Sequence, residues 1–183
     1  TAINPANNEE KGFNVTVLST VITENLVKYY KNESQFVVKV LNGDGTPANG
    51  TNVTFNINGV FYTKEVINGT ATLNINLYPG DYIITTMYGK YAVGNNVTVL
   101  PTLITKDLDM KFQDGSNFTA KTLDGQGKPL ANQNITFNVN GVFYNRTTDE
   151  NGMANLLIRL NPGKYIITSI WNEYQVGRTI TIA

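Results

Sequence analysis

The sequence predicts an all-β protein built from two tandem Greek-key β-sandwiches of about seven strands each. The first observation behind this prediction is a repeat, because VTFNINGVFY at residues 53–62 returns as ITFNVNGVFY at residues 135–144. The second is that both copies alternate apolar and polar residues between Asn, Gly and Pro turns, whereas helical spacing is nowhere sustained. The third is length, since a repeat of about 80 residues can close a hydrophobic core of its own.

The repeat divides the chain into parts. Residues 22–62 align without a gap with residues 104–144, and one residue inserted near Asp149 then changes the offset from 82 to 83. Residues 12–18 also align with residues 94–100, which suggests a chain taken from a longer array. We therefore expect three segments: a tail of a preceding repeat or an N-terminal strand at 1–18, the first repeat at 19–100 and the second repeat at 101–183.

Seven strands are predicted in the first repeat, and the second repeat has their counterparts. In chain order they lie near residues 21–29, 34–41, 51–58, 60–66, 70–77, 81–88 and 91–99. Asn58-Gly59 and Asn68-Gly69 tolerate positive φ, and Pro79-Gly80 pre-sets a bend, so turns are expected at all three places. Asn58-Gly59 lies between two alternating runs and therefore predicts a β-hairpin.

Alternation also predicts which side chains enter the core. The inward rows of the third, fifth and sixth strands are Val53, Phe55 and Ile57, then Ala71, Leu73, Ile75 and Leu77, then Tyr82, Ile84 and Thr86. The second strand is less regular, because Leu41 falls on the same side as Lys39. A bulge or a strand end at Leu41 would explain this and would leave Lys39 facing solvent.

Composition argues against several functions. The 14 basic residues balance the 14 acidic residues, so no net field attracts nucleic acid or an anionic membrane. Histidine and cysteine are absent, which removes the commonest general base, thiol nucleophiles, thiolate metal ligands and disulfides. No apolar run approaches the roughly 20 residues that cross a bilayer. We expect no catalytic residues, no cofactor, no metal site, no nucleic-acid partner and no membrane insertion by this segment.

One short motif predicts how the chain crosses between sheets. The run LYPGDY at residues 77–82 recurs as LNPGKY at residues 160–165. It resembles the tyrosine corner of immunoglobulin-like sandwiches, in which a tyrosine near the start of the sixth strand returns its hydroxyl to the backbone upstream. Tyr82 and Tyr165 are therefore predicted to have a structural role rather than a chemical one.

A wider resemblance rests on three motifs of the second repeat. These are a Gly-x-Pro-x-x-Asn turn at residues 127–132, TDENGMA at residues 148–154 and PGKY at residues 162–165. Together they resemble the bacterial and archaeal immunoglobulin-like repeats of cell-surface adhesins, of the invasin and intimin type. The Asn- and Tyr-rich stretches NGVFY and YPGDYIITT are similar to tandem repeats of adhesin-like proteins of methanogenic archaea. The resemblance implies extension from the cell envelope and, in some members, binding to other cells.

Asn-x-Ser/Thr sequons are frequent. They lie at Asn14, Asn32, Asn49, Asn52, Asn68, Asn96, Asn117, Asn134 and Asn145. In an exported protein each is a potential glycan acceptor, although a chain rich in Asn and Thr also produces sequons by chance. Asn52 and Asn134 are a repeat-identical pair that precedes a strand, and with Asn14 and Asn96 they are the candidate acceptors.

Other patterns have both a functional and a structural interpretation. The oxygen-rich segments at residues 124–127 and 149–152 lack the spacing of a calcium loop and are predicted to be turns. Lys39 and Lys121 are repeat-identical, but an intramolecular Lys–Asn bond would need the amine in an apolar core beside a carboxyl group. Tyr88 and its counterpart Trp171 either pack at the core or edge, or stack on a sugar as ligand-contact aromatics.

These features favour a non-catalytic, extracellular stalk module that extends an adhesin-like protein from the cell surface. The short connection at residues 99–103 contains no Gly/Ser stretch, so neighbouring repeats should have a restricted orientation. The alternative is an adhesin module that itself contacts a glycan or protein on a partner cell. An enzyme is not expected, because no acidic pair with a companion base stands out from the repeat.

Overall fold

The computed structural model describes residues 1–183 and consists of β-strands joined by turns and loops. The N-terminal segment and the first repeat contain β1 (Ala2–Ile3), β2 (Glu10–Lys11), β3 (Val21–Thr23), β4 (Leu26–Tyr29), β5 (Gln35–Val40), β6 (Thr51–Ile57), β7 (Val60–Val66), β8 (Thr70–Asn74), β9 (Gly80–Tyr88) and β10 (Tyr91–Leu100). The second repeat contains β11 (Leu103–Thr105), β12 (Leu108–Met110), β13 (Asn117–Thr122), β14 (Asn134–Val139), β15 (Val142–Thr147), β16 (Met153–Leu157), β17 (Gly163–Trp171) and β18 (Tyr174–Ile182).

Each repeat is a sandwich of a three-stranded and a five-stranded sheet. The orders are β3-β5-β8 and β4-β10-β9-β6-β7 in the first repeat, and β11-β13-β16 and β12-β18-β17-β14-β15 in the second. Neighbouring strands are antiparallel except β4 with β10 and its counterpart β12 with β18, which are parallel. The predicted fold class is confirmed: the chain folds as two tandem immunoglobulin-like sandwiches.

The first predicted strand, at 21–29, is wrong as a single element. It consists of β3, which pairs with β5, and β4, which pairs with β10 in the opposite sheet. Glu24 and Asn25 carry the chain from one sheet to the other. Alternation within the strand could not predict this switch, because both halves keep a strand-like pattern and only their partners differ.

Each repeat has its own hydrophobic core, of 15 buried residues in the first and 14 in the second. The predicted inward row Val53, Phe55 and Ile57 is confirmed, since all three side chains are buried. Phe55 meets Phe36 of the opposite sheet edge to face, with ring centroids 5.9 Å apart and an interplanar angle of 87°. Such a pair adds about 0.5–1.5 kcal/mol beyond burial alone, and the two repeats each have one.

Two local predictions are also confirmed. Asn58 and Gly59 both have positive φ, 54° and 77°, which is the backbone of a type I′ turn closing the β6–β7 hairpin. Strand β5 ends at Val40, and Leu41 makes an isolated bridge to Pro47. The strand end leaves Lys39 exposed, so its amine does not lie in the apolar core that a Lys–Asn bond requires.

The N-terminal segment forms a short hairpin of β1 and β2. Residues 12–18 form no strand, and Val15, Val17 and Leu18 are 84%, 89% and 81% exposed. Of their aligned counterparts in β10, Val97 and Val99 are paired on both sides, by β9 and β4, and Leu100 is paired with β4. Apolar residues in a strand pattern without a partner are consistent with a tail of a preceding repeat, which stays a prediction.

Candidate functional site at the junction of the two repeats

The two repeats are joined by a connection of two residues, Pro101 and Thr102, between β10 and β11. Both ends of this connection are bound to the modules. The backbone N–H of Tyr30 donates to the Leu100 carbonyl at 2.9 Å, and the N–H of Leu123 donates to the Thr102 carbonyl at 2.8 Å. Each hydrogen bond ties one end of the connection to its own sandwich and leaves only Pro101 between the two, so the connection has less freedom than a Gly/Ser linker.

Three tyrosines meet across this connection. Tyr30 and Tyr78 belong to the first repeat, and their rings stack with centroids 5.8 Å apart. Tyr174 of the second repeat lies 5.6 Å from Tyr30 and 5.9 Å from Tyr78, so each ring contacts both of the others. We call this set the tyrosine cluster. Aromatic contacts of this kind contribute about 0.5–1.5 kcal/mol per pair.

A second contact joins the loop after β4 to the turn after β13. The side-chain Nδ2 of Asn32 donates to the backbone carbonyl of Gly125 at 2.7 Å. Tyr29 covers Gly127, whose φ is +79°: a Cβ built there would lie 2.4 Å from the ring. Two glycines in this turn thus allow the backbone of the second repeat to approach the first.

The same turn in the first repeat makes no such contact. Gly43 and Gly45 are the counterparts of Gly125 and Gly127, and both are exposed with no atom within 4 Å of an added Cβ. At the far end of the second repeat, Phe112 and Asn161 replace Tyr30 and Tyr78. Tyr30 and Tyr78 are therefore particular to the first repeat, whereas Tyr174 and the two glycines recur in the other copy as Tyr91, Gly43 and Gly45.

Burial raises the pKa of Tyr30, and the neighbouring Tyr78, Glu173 and Tyr174 raise it further. The physical cause is that a phenolate at this position would lose hydration and would face a carboxylate as well as other ionisable hydroxyls. The surroundings of Tyr30 in the tyrosine cluster therefore favour its protonated form.

The tyrosine corners support this site. The hydroxyl of Tyr82 donates to the Tyr78 carbonyl at 2.7 Å, and that of Tyr165 donates to the Asn161 carbonyl at 2.9 Å. Both bonds run four residues upstream, as the motif predicts. In the first repeat the residue whose carbonyl is held is Tyr78 itself, so the corner also fixes a member of the tyrosine cluster.

Lys28 is a buried residue that sequence reasoning missed. Its amine donates to the carbonyls of Ile75 and Ser34 at 2.9 and 3.1 Å, and burial lowers its pKa. The second repeat has Met110 at this place, and there the N–H of Ile158 donates directly to the Ser116 carbonyl. Lys28 thus bridges two backbone segments that the other copy joins by a direct hydrogen bond. The sequence signal for this role is that the two copies differ at this position, where Lys28 aligns with Met110.

The two candidate ligand-contact aromatics lie in different environments. Trp171 is buried, packs in the second core and donates from Nε1 to the side chain of Gln133 at 3.3 Å. Tyr88 is half-buried against the first core. Neither ring is an exposed platform, so the structure agrees with the packing interpretation rather than with stacking on a sugar, and Trp171 in particular has no free face for a ligand.

The candidate glycan acceptors Asn14, Asn52, Asn96 and Asn134 are all exposed. Asn52 and Asn96 lie on β6 and β10 of the five-stranded sheet, and Asn134 begins β14. Asn32 differs from them, because its Nδ2, the atom to which a glycan would be attached, already donates a hydrogen bond at the junction. Glycan occupancy at the four exposed positions stays a prediction.

The oxygen-rich segments use their carboxylates within the turns. Asp124 Oδ1 accepts from the N–H groups of Gln126 and Lys128, and Asp149 Oδ1 accepts from those of Asn151 and Met153, at 2.8–2.9 Å. This is turn chemistry. The structure contains no group of three or more acidic, histidine or cysteine side chains able to hold a metal ion.

Comparison with known proteins found likeness only to solved structures. No protein-family model and no curated protein matches the chain. Among solved structures, the I9–I11 tandem of titin matches with a TM-score of 0.42 at 15% identity, covering 88% of this chain and 64% of that one. The D0–D1 domains of intimin give 0.38 at 16% identity, covering 88% and 96%, and invasin, described as a bacterial integrin-binding protein, gives 0.36 at 18%, covering 92% and 40%.

The chain thus spans somewhat less than two thirds of the titin tandem and less than half of invasin. At these identities and TM-scores the likeness carries no argument about the function or partners of this chain. The structure also contains no helical segment with the length and apolar character that a bilayer crossing requires.

Proposed function

We propose that the two repeats are a stalk segment of an extracellular, adhesin-like surface protein of an archaeon, and that they hold another part of that protein at a distance from the cell. The observation that carries this proposal is the junction. A spacer must transmit position from one module to the next, and this requires contacts beyond the covalent link. The pinned two-residue connection, the tyrosine cluster and the Asn32–Gly125 hydrogen bond supply such contacts.

The dimensions suit this function. Strands β9 and β17 have nine residues each, which at about 3.3 Å per residue gives a module about 30 Å long before loops are counted. Because each repeat closes its own core, a stalk of this kind can lengthen by whole modules. The balanced charge and the family resemblance of the motifs agree with a surface location, and the exposed sequons with a glycan coat.

The test is the distribution of distances between the two modules. The chain has no native cysteine, so Glu65→Cys and Thr147→Cys, at exposed equivalent positions of β7 and β15, place one spin label on each repeat. We expect pulsed electron paramagnetic resonance to give one narrow distribution of distances between the two labels. Replacing Tyr174 and Asn32 by alanine should broaden it while each sandwich stays folded.

A broad distribution in the unmodified protein would refute the stalk proposal, because independently swivelling modules do not hold a distance. Location is tested separately: antibodies raised against this segment should label intact cells of the source organism. Labelling only after lysis would contradict the surface assignment.

A further inference from the structure

The second repeat has a cleft of about 410 Å³ on the open flank of its sandwich. Its floor is apolar and contains Val139, Leu156 and Ile158, and Tyr144 lines it from β15. Two arginines, Arg146 and Arg159, also line it. A volume of this size lies toward the lower end of the range for small-molecule sites, so it suits one or two sugar-sized rings rather than an extended peptide.

The cleft exists because two sheet edges face each other without a covering strand. Strand β15 is the edge of the five-stranded sheet, and β16 is the edge of the three-stranded sheet. Tyr144 and Arg146 are opposite the buried residues Phe137 and Ile135 of β14, so they share the core-facing side of β15. Their side chains extend beyond the closed core and over this flank.

The charge of the cleft is unusual in this chain. The sequence has only three arginines, all in the second repeat, and two of them line the cleft. Arg146 makes one side-chain hydrogen bond, from Nη1 to the neighbouring Asn145 carbonyl at 2.7 Å, and neither guanidinium hydrogen-bonds to a carboxylate. Two unpaired guanidinium groups beside an apolar floor are complementary to an anion that also has an apolar face.

The first repeat lacks this combination. Lys64 and Asn76 take the places of Arg146 and Arg159, and Asn74 takes the place of Leu157. The second repeat thus has two arginines and an exposed leucine at a flank where the first repeat has one lysine and two asparagines. This combination of residues is therefore specific to the second repeat and is not a general feature of the sandwich.

We propose that this cleft binds a carboxylate-bearing sugar, such as a uronic acid residue of a glycan. The planar guanidinium matches a carboxylate with two parallel hydrogen bonds, which a lysine amine cannot do. The Tyr144 ring and the apolar floor accept the apolar face of a sugar ring. This inference goes beyond the stalk function and is independent of it, because the cleft contains no residue of the junction.

The experiment is a titration of the ¹⁵N-labelled chain with methyl glucuronide, in which the amide chemical shifts are measured at each step. Methyl glucoside is the matched control, since it differs only in having a hydroxymethyl group in place of the carboxylate. We expect the glucuronide to shift amides of residues 142–147 and 156–160 and to leave residues 60–65 and 73–77 of the first repeat unmoved. The glucoside should bind at least about tenfold more weakly, because it cannot form the charge-assisted hydrogen bonds.

Two variants complete the test. Arg159→Asn introduces the residue of the first repeat, and Arg146→Gln removes the other guanidinium; both positions are exposed, so the dispersed amide spectrum should persist. Each should weaken glucuronide binding by about tenfold or more. The proposal is overturned by equal shifts in both repeats, by unchanged affinity in both variants, by no shift at any soluble concentration, or by hexanoate binding as well as the glucuronide.

Discussion

Gly127 allows the strongest test of the junction, because the chain has a matched control for it. In Gly127→Ala the new Cβ would lie 2.4 Å from the Tyr29 ring, and the residue would keep a φ of +79°. Gly45 is its counterpart, with a φ of +85° and nothing within 4 Å of an added Cβ. Both variants therefore have the same backbone strain, and only Gly127→Ala has the collision at the junction.

The expected magnitudes follow from this difference. An alanine in the left-handed region costs about 1–2 kcal/mol, so each variant should destabilise its own repeat by that amount. In a domain of this size this lowers Tm by roughly 4–8 °C per kcal/mol. Trp171 is the only tryptophan and is buried in the second core, so its fluorescence measures unfolding of the repeat that contains Gly127.

The collision of the new Cβ with Tyr29 in Gly127→Ala should also change the distance between the repeats, which a loss of stability alone would not do. Tyr29 must swing away from Gly127→Ala, so the distance distribution between labels on the two repeats should broaden, whereas Gly45→Ala should leave it narrow. If both variants broaden the distribution equally, or if neither does, the contact of Tyr29 with Gly127 does not hold the repeats together and the reasoning is refuted.

Three further predictions concern single residues. The pKa of Tyr30 is raised in the folded protein, so the stabilisation of the junction by Tyr30 is complete below the unfolded value of about 10 and is lost as the pH rises through the higher folded value. The distance distribution between the repeats should therefore broaden at that alkaline pH, and Tyr30→Phe should weaken this pH dependence. Burial lowers the pKa of Lys28, so the unfolded chain binds more protons than the folded one at alkaline pH. The unfolding free energy of the wild type relative to Lys28→Met should therefore rise as the pH approaches the unfolded value of about 10.4, and a flat difference contradicts this. Thr86 Oγ1 is buried without a hydrogen-bond partner, so Thr86→Val should stabilise the first repeat by about 1 kcal/mol in denaturant unfolding, and a loss of stability would show that the hydroxyl is satisfied.

Much of the sandwich could be predicted from sequence, because its determinants are local or repeated. Alternation placed Val53, Phe55 and Ile57 in the core, and Asn58-Gly59 closes the hairpin that the pair predicts. The tyrosine corner motif contains both its donor and its acceptor within five residues, so Tyr82 could be assigned without knowledge of the fold.

The candidate sites could not be predicted in this way, because their parts are distant in sequence. Tyr30 and Tyr174 are 144 positions apart in the chain, and no periodicity relates them. Lys28 was assigned no role, since its burial depends on β4 leaving the first sheet for the second. The only sequence signal was a difference between the copies, and many such differences have no consequence.

The sequence by itself determined that two self-contained β-sandwiches follow one another, since a repeat of this length with period-two alternation has few other ways to bury its apolar face. Only the tertiary structure showed which residues connect the two sandwiches at the junction and which residues line the cleft of the second repeat. Contacts such as Asn32 with Gly125, and the cleft between β15 and β16, depend on where separate strands end in space, and alternation within a strand contains no information about that.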